Sequence, residues 1–359
     1  MTLRKKLLFL AVIYGALALA LVAAEVSLRL SKSETTTRLR YAYTPDVLGE
    51  FLPNQSLYDT RKPRVRWKVT INAEGYRGRP VAVPKPSGTY RLLVLGDSLV
   101  EGSYVDDGST VAEQLEVALR RRLGDGIEVV GIGRAGYTIT DEMDYFREKG
   151  HRLDPDAVVL VSALNDVADL SRPIQYREFL KLATGYEKRH PIFQALVEPF
   201  RTTALYNFLY RKWVLLRLGT SLQLGTVDPK PLRERVSYTE AQKAEWTPDY
   251  SGYFRRYCEL LGAFQRELGG QQRRLLYVVF PDVEQLAPSD PEVSQRRLTE
   301  CVASHRIPSV DPLPALRAAS RAETLFLLPH DRHPNAAGYR VAAEAVAEEI
   351  IRLDWARPQ

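Results

Sequence analysis

The stretch Leu92-Leu93-Val94-Leu95-Gly96-Asp97-Ser98-Leu99 joins an unbroken apolar run to a Gly-Asp-Ser turn. A short continuous apolar run that ends in a turn signal reads as a strand buried on both faces, as in a parallel sheet. Such sheets place reacting groups on loops at the carboxyl ends of their strands, so chemistry is expected at this exit. Gly96 permits a tight turn, and Ser98 then stands at the sheet edge, able to act as a nucleophile if a base is near. The same three residues also suit a turn that only caps the next helix.

Outward from residues 90–95, the runs 127–130 and 157–163 read as further buried strands, with others at 274–280 and near 307–310. Helical spacing separates them. Val111, Leu115, Ala118 and Leu119 share one face over 110–122, and similar patterns cover 141–150, 250–268 and 335–353. Strands alternating with helices predict an α/β fold with a parallel sheet covered on both faces. Residues 31–88 are polar and proline-dotted, with a β-like piece at 65–71 followed by the turn-prone Asn72-Ala73-Glu74-Gly75. They read as a linker that becomes an edge of the domain, away from the function. Residues 170–246 break the rhythm and read as an insertion, with Phe179, Phe193, Tyr206, Phe208 and Trp213 among many Lys and Arg. It is either a helical subdomain with its own aromatic core or a lid or membrane-facing surface.

With 359 residues, 45% hydrophobic and 26% charged, the chain can bury a full core, which excludes collagen-like and disordered classes. Two cysteines, Cys258 and Cys301, exclude a disulfide-dense scaffold and a Cys-built zinc site, and allow a single bridge. The net charge of +6 comes with no run of five basic residues, so no nucleic-acid module is expected.

Residues Leu7 to Ala24 are uncharged and follow Arg4, Lys5 and Lys6. As a helix this apolar run spans about 27 Å, close to the thickness of a bilayer core. Val22-Ala23-Ala24 offers small residues to a signal peptidase, but the run is longer than the usual core of a cleaved signal. Residues 1–30 are therefore read as an uncleaved membrane anchor, with a cleaved signal as the alternative. Positive charge inside puts everything after about residue 30 outside the cytoplasm.

The second strand exit, Gly131-Ile132-Gly133-Arg134-Ala135-Gly136, matches a dinucleotide fingerprint, with Asp154 and Asp156 further on. Against that reading, another strand precedes it, whereas the fingerprint normally ends the first strand of its sheet. The alternative use of Gly136 is a backbone N–H aimed at a developing oxyanion. The third exit, Ser162-Ala163-Leu164-Asn165-Asp166, offers the Asn165 amide to the same oxyanion, or forms an Asx turn. Near the C-terminus His330-Asp331-Arg332-His333 brings a base and an acid together, with His333 the candidate base. A metal at His330 and His333 would have only Asp331 as a third ligand.

These four segments, in this order, resemble the blocks of the SGNH or GDSL hydrolase family over roughly residues 88–353. Residues 71–78 and 91–102 are similar to those of membrane-anchored bacterial members. The resemblance implies a flavodoxin-like three-layer α/β/α sandwich over 88–359, interrupted by the insertion. It implies Ser98 as nucleophile, His333 as base and Asp331 as its orienting acid. The oxyanion donors it implies are Ser98, Gly136 and Asn165. The family acid usually stands three residues before the histidine, where this chain has His330, and the third block has Ala163 in place of glycine. The two-residue spacing from Asp331 to His333 resembles polysaccharide O-acetylating relatives. The expected activity is therefore hydrolysis of acylated carbohydrates or small esters, with O-acyl transfer and a non-catalytic binding role as alternatives. No metal or organic cofactor is required.

Overall fold

The computed structural model describes residues 2–30, 41–42, 50–51, 53–62, 65–171, six positions between 203 and 216, 241–287, 289 and 292–356. The chain divides into two compact units, one joining Met1–Arg38 with Glu178–Pro229, the other Leu39–Arg177 with Lys230–Gln359. Most of the expected insertion over 170–246 lies outside the described residues.

In the first unit, helix α1 (Leu3–Leu30) has no polar face. Its segment Arg4–Leu28 has a mean hydropathy of 2.6 and is long and apolar enough to cross a membrane. Near its end Glu25 accepts a hydrogen bond at Oε2 from the backbone of Leu205, at 2.8 Å.

The second unit holds the α/β core. A short pair, β1 (Tyr41–Ala42) and β2 (Glu50–Phe51), precedes an antiparallel hairpin of β3 (Gln55–Lys62) and β4 (Val65–Ile71). The polar 31–88 segment thus builds its own two-stranded sheets. The turn after β4 forms because Asn72 Oδ1 accepts from the N–H groups of Glu74 and Tyr76, while Gly75 takes φ +85°.

The central sheet consists of β5 (Tyr90–Gly96), β6 (Ile127–Gly133), β7 (Ala157–Ser162), β8 (Arg274–Val279) and β9 (Ser309–Val310). Their order is β6-β5-β7-β8-β9, and every pairing is parallel. This is the flavodoxin-like 2-1-3-4-5 arrangement, whose strand order reverses beside the first strand and opens a crevice there. Every residue of β5 is buried, because the pleat sends Leu93 and Leu95 into one layer and Leu92 and Val94 into the other. The first layer packs on α4 (Ile139–Glu148), α6 (Pro248–Gly270) and α7 (Val293–Ser304). The second packs on α3 (Val111–Leu123) and α9 (Ala336–Arg352). Between them along the chain lie the short helices α2 (Ser98–Glu101), α5 (Asn165–Asp169) and α8 (Leu313–Ala319). Cys258 of α6 and Cys301 of α7 are joined in a disulfide.

Strand β6 runs three residues beyond the apolar stretch that marks it in sequence, so Gly131 and Gly133 belong to the strand and not to a loop. A Cβ on Gly133 would meet the backbone N of Glu101 at 2.1 Å, and one on Gly131 would meet Ala112 at 2.7 Å. These glycines let β6 lie directly against α2 and α3. Asp156, the acid of the dinucleotide reading, accepts from the N–H of Arg91 at the opposite end of the sheet.

Candidate active site

The turn at Gly96-Asp97-Ser98 is built by close packing and one buried carboxylate. A Cβ on Gly96 would meet Val100 and the carbonyl of Val161 within 2.7 Å, so the strand can turn there only without a side chain. Asp97, 2% exposed, caps α2 by accepting from the Leu99 N–H at 2.9 Å. Burial pushes the Asp97 carboxyl up, opposed by that bond and by the Asn165 amide. Ser98 is thereby held as the first residue of a helical turn at the carboxyl edge of the sheet.

The third and fourth segments arrive at the same place. The backbone N–H of Leu327 donates to the carbonyl of His333 and that of Asn335 to Leu325, folding residues 325–335 back on themselves before α9. Asn335 caps that helix through the Gly338 N–H. His333 Nε2 then lies 2.8 Å from Ser98 Oγ, and Nδ1 lies 2.5 Å from Asp331 Oδ1. The same Asp331 oxygen accepts from the His333 backbone N–H at 3.1 Å, so the two-residue spacing closes a tight local ring. His330, at the three-residue spacing, is exposed at the surface. Ser98, His333 and Asp331 thus stand in the line that a serine relay requires.

Asn165 opens α5 after β7, where Ala163 donates its N–H to Asp166. Its side-chain amide donates to Asp97 Oδ2 at 3.2 Å and to Asp169 Oδ2 at 2.9 Å. Both amide protons are therefore held by carboxylates, and an oxyanion must compete for one of them. Gly136, with φ +82°, follows β6 on a loop that only glycine enters easily.

Ser98, Gly136, Asn165 and His333 all line one cleft of about 540 Å³. Phe280, Pro281 and Phe326 give it apolar walls, and Asp169 and Asp282 add carboxylates. Arg332 closes one rim by pairing with Asp282 at 2.6 Å and Glu284 at 2.8 Å. Asp331 stands behind His333. Among the described residues, no group of three or more His, Cys, Asp or Glu is arranged to hold a metal ion. Asp169 has no signal in the sequence beyond its place one helical turn after Asn165.

Solved structures similar to this chain include an alpha/beta hydrolase enzyme from the metagenome of Lake Arreo, Spain, at 15% identity and TM-score 0.43, covering 74% of this chain and 96% of that one. Another is a catalytic mutant of an acetylxylan esterase from Geobacillus stearothermophilus, at 14% identity and TM-score 0.42, covering 74% and 95%. A lipase/acylhydrolase from Enterococcus faecalis matches at 13% and TM-score 0.41, covering 73% and 95%. No curated protein matches the sequence. The model of the GDSL-like Lipase/Acylhydrolase family matches residues 94–341, a span that runs from the strand before Ser98 to the helix after His333. The chain belongs to the GDSL-like lipase/acylhydrolase family, whose members are ester-hydrolysing enzymes.

Proposed function

We propose that this protein is an exported serine esterase, held at the membrane by α1, that removes acyl groups, acetyl foremost, from carbohydrates or small esters. The observation that carries the reading is the Ser98–His333–Asp331 alignment within the cleft. His333 Nε2 takes the Ser98 proton as Oγ bonds to the ester carbonyl carbon, and the carbonyl oxygen becomes an oxyanion. The N–H groups of Ser98 and Gly136 and the Asn165 amide receive that charge. When the C–O bond to the leaving alcohol breaks, His333 returns the proton to it. Water, deprotonated by His333, then attacks the acyl carbon, and as the acyl–Oγ bond breaks His333 returns that proton to Ser98 and the carboxylic acid leaves. Asp331 holds the Nδ1 proton throughout and stabilises the imidazolium.

Apolar walls beside carboxylates suit a carbohydrate ester, since sugar C–H faces lie on aromatic rings while hydroxyls donate to Asp169 and Asp282. The Cys258–Cys301 bond suits an oxidising compartment, in accord with export. The two-residue spacing of Asp331 and His333 favours one second reading, transfer of the acyl group to a sugar hydroxyl in place of water. Full-length protein in detergent, supplied with p-nitrophenyl acetate and a neutral oligosaccharide, tests both. Free acetate as the dominant product supports the esterase. Acetylated oligosaccharide as the dominant product moves the assignment to acyl transfer, and an inert Ser98 in folded protein contradicts both.

A further inference from the structure

The loop between α2 and α3 is tied to the β3–β4 hairpin by the side chains of Arg77, Asp106 and Asp107. Arg77, whose side chain is 5% exposed, donates through Nη1 to the carbonyls of Glu101 and Gly102 at 3.0 and 2.6 Å. Through Nη2 it reaches the carbonyls of Val105 and Lys68 at 2.7 and 2.9 Å, and through Nε the carboxylate of Asp107 at 3.1 Å. The loop answers in kind, because Asp106 and Asp107 accept from the N–H groups of Lys68 and Thr70, both on β4.

Between these anchors stands Tyr104 with φ +70°. A bulky residue enters that left-handed region only where its surroundings over-determine it, and such residues concentrate at functional sites. The ring it presents is edge-packed on both sides. Trp67 of β4, 1% exposed, lies behind it at 4.9 Å between ring centroids and 70° between planes. The imidazole of His333 lies in front at 5.2 Å and 67°.

We propose that Tyr104 is a positioning residue for His333, its aromatic ring holding the imidazole toward Ser98 from a loop that the β3–β4 hairpin clamps in place. The proposal rests on the reading of His333 as the catalytic base. Asp331 fixes Nδ1, but the bond from Nε2 to Ser98 is given up as the proton moves, and the imidazole can then rock about the Asp331 bond. An aromatic ring against its side narrows that motion. This restraint acts on the chemical step and leaves ground-state binding of the ester unchanged, so it alters kcat and not KM. The segment that reads in sequence as a linker thereby reaches the site.

The test compares Tyr104→Gly with Tyr104→Phe in the full-length protein, in detergent, with p-nitrophenyl acetate as substrate. Glycine removes the ring and is at ease with a positive φ, so the loop itself is not strained by the change. Active sites are titrated with a fluorophosphonate, so that kcat refers to reactive enzyme and not to folded fraction. The expected result is a fall in kcat of about tenfold or more for Tyr104→Gly at unchanged KM, with Tyr104→Phe within about twofold of wild type. An active wild type with equal kcat in Tyr104→Gly overturns the positioning role alone. A loss shared equally by Tyr104→Phe overturns the ring as its cause. A folded wild type that neither hydrolyses ester nor labels at Ser98 overturns the catalytic reading and this proposal with it.

Discussion

His333 Nε2 stands 2.8 Å from Ser98 Oγ, although 235 residues separate the two along the chain. The approach exists because β5 ends at the strand-order reversal and the loop before α9 returns to the same sheet edge. The proposed chemistry needs both, since a serine hydroxyl needs a base and the base needs an orienting acid.

If Asp331 sets the tautomer of His333, Asp331→Asn lowers kcat by about 10²- to 10⁴-fold with little change in KM. His330→Ala, an exposed side chain outside the cleft, leaves kcat/KM at the wild-type value. Steady-state kinetics of both variants decides which of the two positions carries the role. Equal losses in both would point to disruption of the whole loop.

Removal of the Asn165 amide in Asn165→Ala lowers kcat by about 10²- to 10³-fold, the usual cost of one oxyanion donor. Asp169 should act in the opposite sense, because its carboxylate accepts from that amide at 2.9 Å and adds negative charge beside the developing oxyanion. Asp169→Asn raises kcat/KM for p-nitrophenyl acetate by about tenfold, equivalent to about 1.4 kcal/mol of barrier. A loss of activity in Asp169→Asn would mean that the carboxylate positions the amide and does not compete for it.

Gly133→Ala places a methyl 2.1 Å from the Glu101 backbone nitrogen. Backbone cannot swing aside as a flexible side chain can, so the variant loses about 1 to 3 kcal/mol of stability. The shift passes directly to the turn that carries Ser98, and activity falls with it. Denaturant melts and ester hydrolysis measured on the same preparation check both parts.

Asp311 is mostly buried, which pushes its carboxyl up from 3.8 to about 6. A raised carboxyl means that the folded state holds the proton more tightly than the unfolded state. Its favourable contribution is full below about pH 4 and is lost as pH rises through about 6. Asp311→Asn keeps an acceptor for the Leu313 N–H, 2.9 Å away, and removes the ionisation. The variant melts higher than wild type at about pH 8 and at the same temperature near about pH 4, as calorimetry at the two pH values would show.

The central strands were legible in the sequence because burial on both faces leaves a continuous apolar run, as in 92–95 and 157–161. Strand β3 was not, since Gln55-Ser56-Leu57-Tyr58-Asp59-Thr60-Arg61-Lys62 lies in a two-stranded sheet and carries almost no apolar pattern. Helices α7 and α8 were likewise overlooked, with Arg and Gln interrupting the spacing of the first and only seven residues in the second. The candidate site was legible through four ordered blocks, and the structure brings their residues together. Tyr104 carries no such signal, and Arg77 only the likeness over 71–78, which gives it no role. Their importance lies in a positive φ and a fan of backbone carbonyls, which a sequence read one segment at a time does not display.

The most direct measurement treats the full-length protein in detergent with a fluorophosphonate and locates the adduct by peptide mass spectrometry, with His333→Ala as control. A serine relay gives a single adduct on Ser98 that forms in wild type and is lost in His333→Ala. Folded wild-type protein that takes no adduct at Ser98, or takes it equally well without His333, would contradict it.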